Sequence, residues 1–162
     1  MNAVVGRVLR RLIERGDIRE SDFYQVLDRI EYLDPHREAF LTDAIIAFFE
    51  EDYTKALHVG MPQFEAVLED LLEIKGERVN KSKNDGTVEP ATLGGLFGII
   101  REEVNDDLGA YLEYQYTDLG GMNLRNLLAH GQYPYGAASF ESSAVLLFDI
   151  LRTLLRIENH YP

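Results

Sequence analysis

Cysteine is absent from the 162-residue chain. That excludes disulfides, thiolate nucleophiles and thiolate metal sites, and it fits a cytoplasmic setting. Long apolar runs are missing too: no stretch approaches the roughly 18 to 20 uninterrupted apolar residues of a membrane span. The N-terminus, MNAVVGRVLRRLIERG, is amphipathic and lacks the apolar region of a cleavable signal. Alternating β-type runs with hairpin signals do not occur, nor does an internal repeat. Positive charge is scarce, with 16 Lys and Arg against 28 Asp and Glu, a net of −12. Residues 34–75 hold 3 basic and 10 acidic side chains, whereas residues 122–162 balance at 3 and 3. Such a surface repels phosphate on average and excludes nonspecific coating of nucleic acid. A small phosphodiester site in the neutral C-terminal third stays open.

What is present is helical periodicity. Val4, Val5, Val8, Leu9, Leu12 and Ile13 share one face, and Gly16 is placed to stop that helix. Ser21 is expected to cap a second helix, with Phe23, Val26, Leu27 and Ile30 inward. Asp34-Pro35 reads as a cap and an N1 proline, opening a helix whose buried stripe is Phe40, Leu41, Ala44, Ile45 and Phe48. A longer helix follows, lined by Leu57, Phe64, Val67, Leu68, Leu71 and Leu72 and ended by Gly76. Pro62 lies inside it and leaves the His58 carbonyl without its helical donor, so a kink is expected there. Residues 76–91 read as a polar surface loop. Residues 92–116 read as one interrupted helix or two short ones, and a last helix runs from about Ser139 to Asn159. The fold class is all-α, a multi-helix bundle in one compact domain with a real core.

The chemistry concentrates in LRNLLAHGQYPYG, residues 124–136. Helix is expected through His130, with Gly131 just past the end. Arg125 and His130 then point about 140° apart, and Asn126 and His130 only about 40° apart. Asn126 can therefore hydrogen-bond and orient the imidazole, while Arg125 reaches round or works with a second subunit. An imidazole exchanges protons near neutral pH, and a guanidinium offers a planar fork to phosphate oxygens. Together they suit attack by a ribose 2′-hydroxyl on its own phosphodiester, without a metal or other cofactor. One chain has one motif histidine; a two-fold dimer supplies a second as the acid. The competing reading is structural, since Arg and His near a helix C-terminus favour its dipole.

RNLLAHG, residues 125–131, matches the RNxxxHG signature of a domain-of-unknown-function family and the R-x4-6-H motif of the HEPN superfamily. The lead-in YTDLGGMN and the proline-bearing DYTKALHVGMPQFEAVLEDLL, residues 52–72, also resemble that family. The likeness covers about residues 35–157, leaving residues 1–33 as an N-terminal helical extension to a HEPN-like domain at 34–162. The resemblance implies a dimeric helical bundle acting as a metal-independent endoribonuclease in toxin–antitoxin or antiviral-defence systems. Arg125 and His130 would be catalytic and Asn126 supporting, with RNA as substrate and an antitoxin or other protein as further partner. Some members are instead inactive dimerisation, adaptor or nucleotide-binding modules, and the acidic charge favours that alternative.

Other residues carry two readings each. Glu65 is expected on a solvated helix face rather than orienting Arg125, and His58 as a satisfied histidine rather than a second proton carrier. Lys81 and Lys83, with Arg78, form the one basic loop cluster, a solvated loop or a phosphate-steering patch. Tyr133 and Tyr135 flank Pro134 and suit either base stacking or packing at a dimer seam. His36 and His160 are read as incidental.

Overall fold

A computed structural model describes residues 3–82, 88–134 and 136–161. Helix α1 (Ala3–Glu14) ends where Gly16 turns left-handed at φ +73°. There Gly16 N–H donates to the Ile13 carbonyl and Asp17 N–H to the Leu12 carbonyl, a Schellman closure. Helix α2 spans Glu20–Leu27. Its cap is Arg19 and not Ser21: the Asp22 carboxylate reaches back to accept the Arg19 N–H at 2.7 Å, leaving Ser21 inside the first turn.

Helix α3 (Pro35–Phe49) starts as expected, with the Asp34 carboxylate accepting the N–H groups of His36 and Arg37. Leu41, Ala44, Ile45 and Phe48 are buried, but Phe40 is 49% exposed. The inward stripe is completed by Ala47 instead. A three-residue turn leads into α4 (Tyr53–Ile74), which stays helical through Pro62. Helix α8 (Phe140–His160) packs against both. The close approach depends on Gly60, where a β-carbon would sit 3.3 Å from Leu146 Cδ2 and 3.6 Å from Ala44 Cβ.

One buried cluster runs from Phe23 to Ile157 and takes in residues of α2, α3, α4 and α8 and of the segment between α4 and α8. Phe23, Leu27 and Ile30 belong to it, each buried side chain contributing about 1.5–3 kcal/mol. Helix α1 is tied down by Arg10, whose guanidinium lies 4.3 Å from the Phe140 ring centre and 3.4 Å from Glu141. Phe64, Phe97 and Tyr116 form an aromatic knot, with centroids 5.5–6.0 Å apart.

The expected loop at 76–91 contains paired strands among its described residues. Strands β1 (Asn80–Ser82) and β2 (Val88–Pro90) pair antiparallel, Lys81 opposite Glu89. Buried Val79 and Ala91 anchor the hairpin, joined by an Ala91 N–H to Val79 carbonyl bond of 2.7 Å. A two-stranded ribbon this short has little stability of its own and relies on that anchorage. Helix α5 (Leu93–Ile99) runs into a π-helical turn, Ile100–Val104, and Asn105 caps α6 (Asp106–Tyr116). The remaining helix, α7, is a short one at Leu124–Ala129. The fold is an all-α bundle with one small hairpin. Among the described residues, no helix is long and apolar enough to cross a membrane.

Candidate functional site

Helix α7 holds the motif. It begins at Asn123, a left-handed N-cap at φ +49°, and ends at His130, with Gly131 at φ +64° beyond it. Gly131 N–H donates to the Leu128 carbonyl and Gln132 N–H to the Leu127 carbonyl, closing the helix with a Schellman motif. Leu124 is buried and Leu128 packs on the core, so a helix of only 6 residues is held in place by tertiary contacts.

Arg125 is clamped. Its Nε donates to Glu65 Oε2 at 3.2 Å, and its Nη2 donates to both Glu65 oxygens at 3.2 and 3.3 Å. Its Nη1 donates to Asn126 Oδ1 at 3.2 Å. Glu65 is fixed in turn, because its Oε1 accepts the Leu93 N–H at 3.0 Å. Glu65 is thus no solvated residue: its side chain is 26% exposed and Arg125's is 30%. A guanidinium has five N–H donors. Nη2 shares one hydrogen between the two carboxylate oxygens, so among the described residues three donors are engaged and one on each terminal nitrogen is left.

Asn126 does not orient the imidazole. Its Nδ2 donates to Asn123 Oδ1 at 2.6 Å and its Oδ1 holds Arg125. The amide links the Asn123 side chain to the arginine and braces it. His130 is exposed, and its backbone N–H donates to the Asn126 carbonyl at 3.0 Å. Tyr133 is partly buried against the core, and its hydroxyl donates to the Ala137 carbonyl at 3.1 Å. Lys81 lies at the centre of β1, away in sequence from the motif. Lys83 and Tyr135 lie outside the described residues.

A cavity of about 230 Å³ lies between α4 and α7. Helix α4 contributes His58, Met61, Pro62 and Glu65; α7 contributes Arg125, Leu128 and Ala129. At 100° per residue each set falls within a sector of roughly 100°. The cavity has an apolar wall with a carboxylate, a guanidinium and an imidazole set into it, the pattern of a small polar-group site. His58 Nδ1 lies 2.8 Å from the Thr54 carbonyl. A carbonyl only accepts, so Nδ1 carries hydrogen and Nε2 is the free nitrogen. Pro62, lacking an N–H, also leaves the His58 carbonyl without a helical donor. The 3.6-residue spacing of His58, Pro62 and Glu65 was the signal for this shared face.

Among the described residues, no group of three or more His, Asp or Glu side chains is placed to hold a metal ion. No protein-family model matches the chain, and no curated protein or solved structure matches it either.

Proposed function

We propose that the chain is a HEPN-type endoribonuclease that works in the cytoplasm as a homodimer and cuts RNA through its own 2′-hydroxyl. One observation carries the reading: Arg125 is braced by Glu65 and Asn126 in a cavity wall, and among the described residues two of its N–H donors have no partner. A guanidinium fixed before the substrate arrives stabilises charge on a phosphorane without reorganising. His130, exposed at the end of α7, takes the 2′-hydroxyl proton. The 2′-oxygen bonds to phosphorus, the bond to the 5′-oxygen breaks, and that oxygen takes a proton from an acid. The ends left are a 2′,3′-cyclic phosphate and a 5′-hydroxyl. No redox change occurs and no metal is required. A second copy across a two-fold axis supplies further imidazole and guanidinium groups. RNxxxHG-type sequences carry the expectation of a toxin–antitoxin or defence setting with a protein partner.

The test is cleavage of mixed RNAs by purified protein in EDTA, beside Arg125→Ala and His130→Ala. The wild type is expected to leave cyclic phosphate ends, and each variant to lose about 100-fold or more in rate. Equal cleavage by all three proteins, or none by the wild type on any RNA, refutes the reading.

A second reading is a non-enzymatic helical dimer or nucleotide-binding adaptor. The net charge of −12 and a guanidinium already closed on a carboxylate favour it. In that case His130→Ala changes melting temperature or dimerisation, and no RNA is cut.

A further inference from the structure

The cavity wall formed by α7 consists of Arg125, Leu128 and Ala129. His130 is not part of it, because it follows Arg125 by five residues and so points about 140° away. The imidazole that does share the cavity with Arg125 is His58, on the opposite helix. We propose that His58, rather than His130 of the same chain, is the working partner of Arg125. The two form an oxyanion subsite, and in the proposed cleavage His58 is the proton donor to the leaving 5′-oxygen. The catalytic part of this rests on the endoribonuclease reading; the subsite does not.

The local geometry suits the role. Nδ1–H is bound to the Thr54 carbonyl, which fixes the ring against its own helix and leaves Nε2 as the exchangeable nitrogen. His58 is exposed, so Nε2 can be recharged from solvent. The charged groups facing it in the cavity are Glu65 on α4 and Arg125 on α7. These two neutralise each other through a side-on pair. An arriving phosphate therefore meets two spare guanidinium N–H groups and an Nε2–H of imidazolium. During cleavage the 2′-oxygen bonds to phosphorus while its proton passes to a base, His130 of a second copy. The bond to the 5′-oxygen breaks, and that oxygen takes the Nε2 proton of His58. Neutral His58 then regains a proton from water, and His130 releases one.

The probe is inorganic phosphate, followed by the ring signals of the chain's 4 histidines in NMR spectra, assigned with His→Gln variants. Phosphate should move the His58 signal saturably, and Arg125→Gln should abolish the movement. A phosphate titration that leaves His58 unmoved, or that moves it equally without Arg125, overturns the subsite. On RNA, His58→Gln should lower kcat by about 100-fold or more and remove the alkaline limb of the rate profile. His130→Gln should remove the acidic limb. If the wild type cuts and His58→Gln keeps both its rate and its alkaline limb, the proton-donor role is wrong while the nuclease reading stands. If no RNA is cut but phosphate still moves His58 through Arg125, the nuclease reading falls and the subsite survives.

Discussion

Glu65 grips Arg125 side-on across the α4–α7 seam, with three contacts of 3.2–3.3 Å, while the Leu93 N–H holds the same carboxylate from α5. Three segments far apart in sequence thus meet on one carboxyl group. Removing it leaves the Leu93 N–H without its acceptor and the guanidinium with Asn126 alone. For Glu65→Ala we expect a loss of roughly 1–3 kcal/mol, and a melting temperature lower by about 2–4 °C per kcal/mol. Glu65→Gln keeps one acceptor and should lose less. Thermal melts of both variants beside Arg125→Ala check this, because coupled partners should not add in the double variant. Additive losses would mean that the pair is not one unit.

Gly109 sets how closely α6 crosses the π-helical turn. A β-carbon there would lie 2.5 Å from Arg101 Cβ and 2.6 Å from its backbone. The obstruction is backbone, so no side chain can swing clear. Gly109→Ala should destabilise by about 1–3 kcal/mol or more, against the small gain that alanine brings to an open helix. Gly98, with open space around its missing β-carbon, is the control, and Gly98→Ala should hold or raise the melting temperature. Equal melting temperatures for the two variants would refute the close-approach argument.

Elements were legible in the sequence where local rules act alone. Asp34-Pro35, Gly16, Gly131 and the 3.6-residue stripe of α4 all gave their roles from neighbouring residues. Misreadings arose where distant contacts decide. Phe40 has the right period for burial, but it stays 49% exposed. Ser21 is a better cap by type than Arg19, yet the Asp22 carboxylate fixes the helix start two residues earlier. Residues 80–82 and 88–90 pair as strands because Val79 and Ala91 are drawn into the core, a fact of tertiary packing. The motif on α7 was visible, whereas the Glu65–Arg125 clamp lies 60 residues apart in sequence and has no local signature.

The turn between α3 and α4 stores strain that can be released. Glu51 sits left-handed at φ +64°, with its N–H bound to the Phe48 carbonyl and that of Asp52 to the Ala47 carbonyl. This is the position glycine ordinarily fills after a helix. A non-glycine residue there costs about 1–2 kcal/mol, partly offset by the entropy glycine loses on folding. Glu51→Gly should therefore stabilise by roughly 0.5–1 kcal/mol, read as a higher denaturant midpoint at unchanged slope. A lower midpoint would show that the glutamate side chain outweighs its backbone strain.

Asp149 is buried beneath two phenols and beside one guanidinium. Its Oδ2 accepts from Tyr116 at 2.8 Å and Tyr111 at 3.0 Å, and its Oδ1 from Arg152 at 2.9 Å. Burial pushes its carboxyl above the usual carboxylate range, against the opposing pull of Tyr116, Arg152 and Tyr111. Burial, then the Asp149 charge, push both phenols above the ordinary tyrosine value. The signs follow from linkage. Each of these groups holds its proton more firmly when folded, so its contribution is complete below its unfolded value and is lost as pH rises through the folded one. For Asp149 that loss starts above pH about 4, and for the tyrosines above pH about 10. Tyr24, pushed up to about 12 by burial and its bond to Glu20, adds to the alkaline loss. We expect stability to fall from pH about 10, chiefly through the buried Tyr116, with the more exposed Tyr111 and Tyr24 adding smaller, solvent-screened shares. Tyr111→Phe should remove its own share of that slope, because its ring stays over Arg152 while the titrating hydroxyl is gone. Urea midpoints taken across the alkaline range, with tyrosinate absorbance recorded in parallel, measure both quantities. An unchanged slope in Tyr111→Phe would show that the phenol ionises as readily in the folded chain as in the unfolded one.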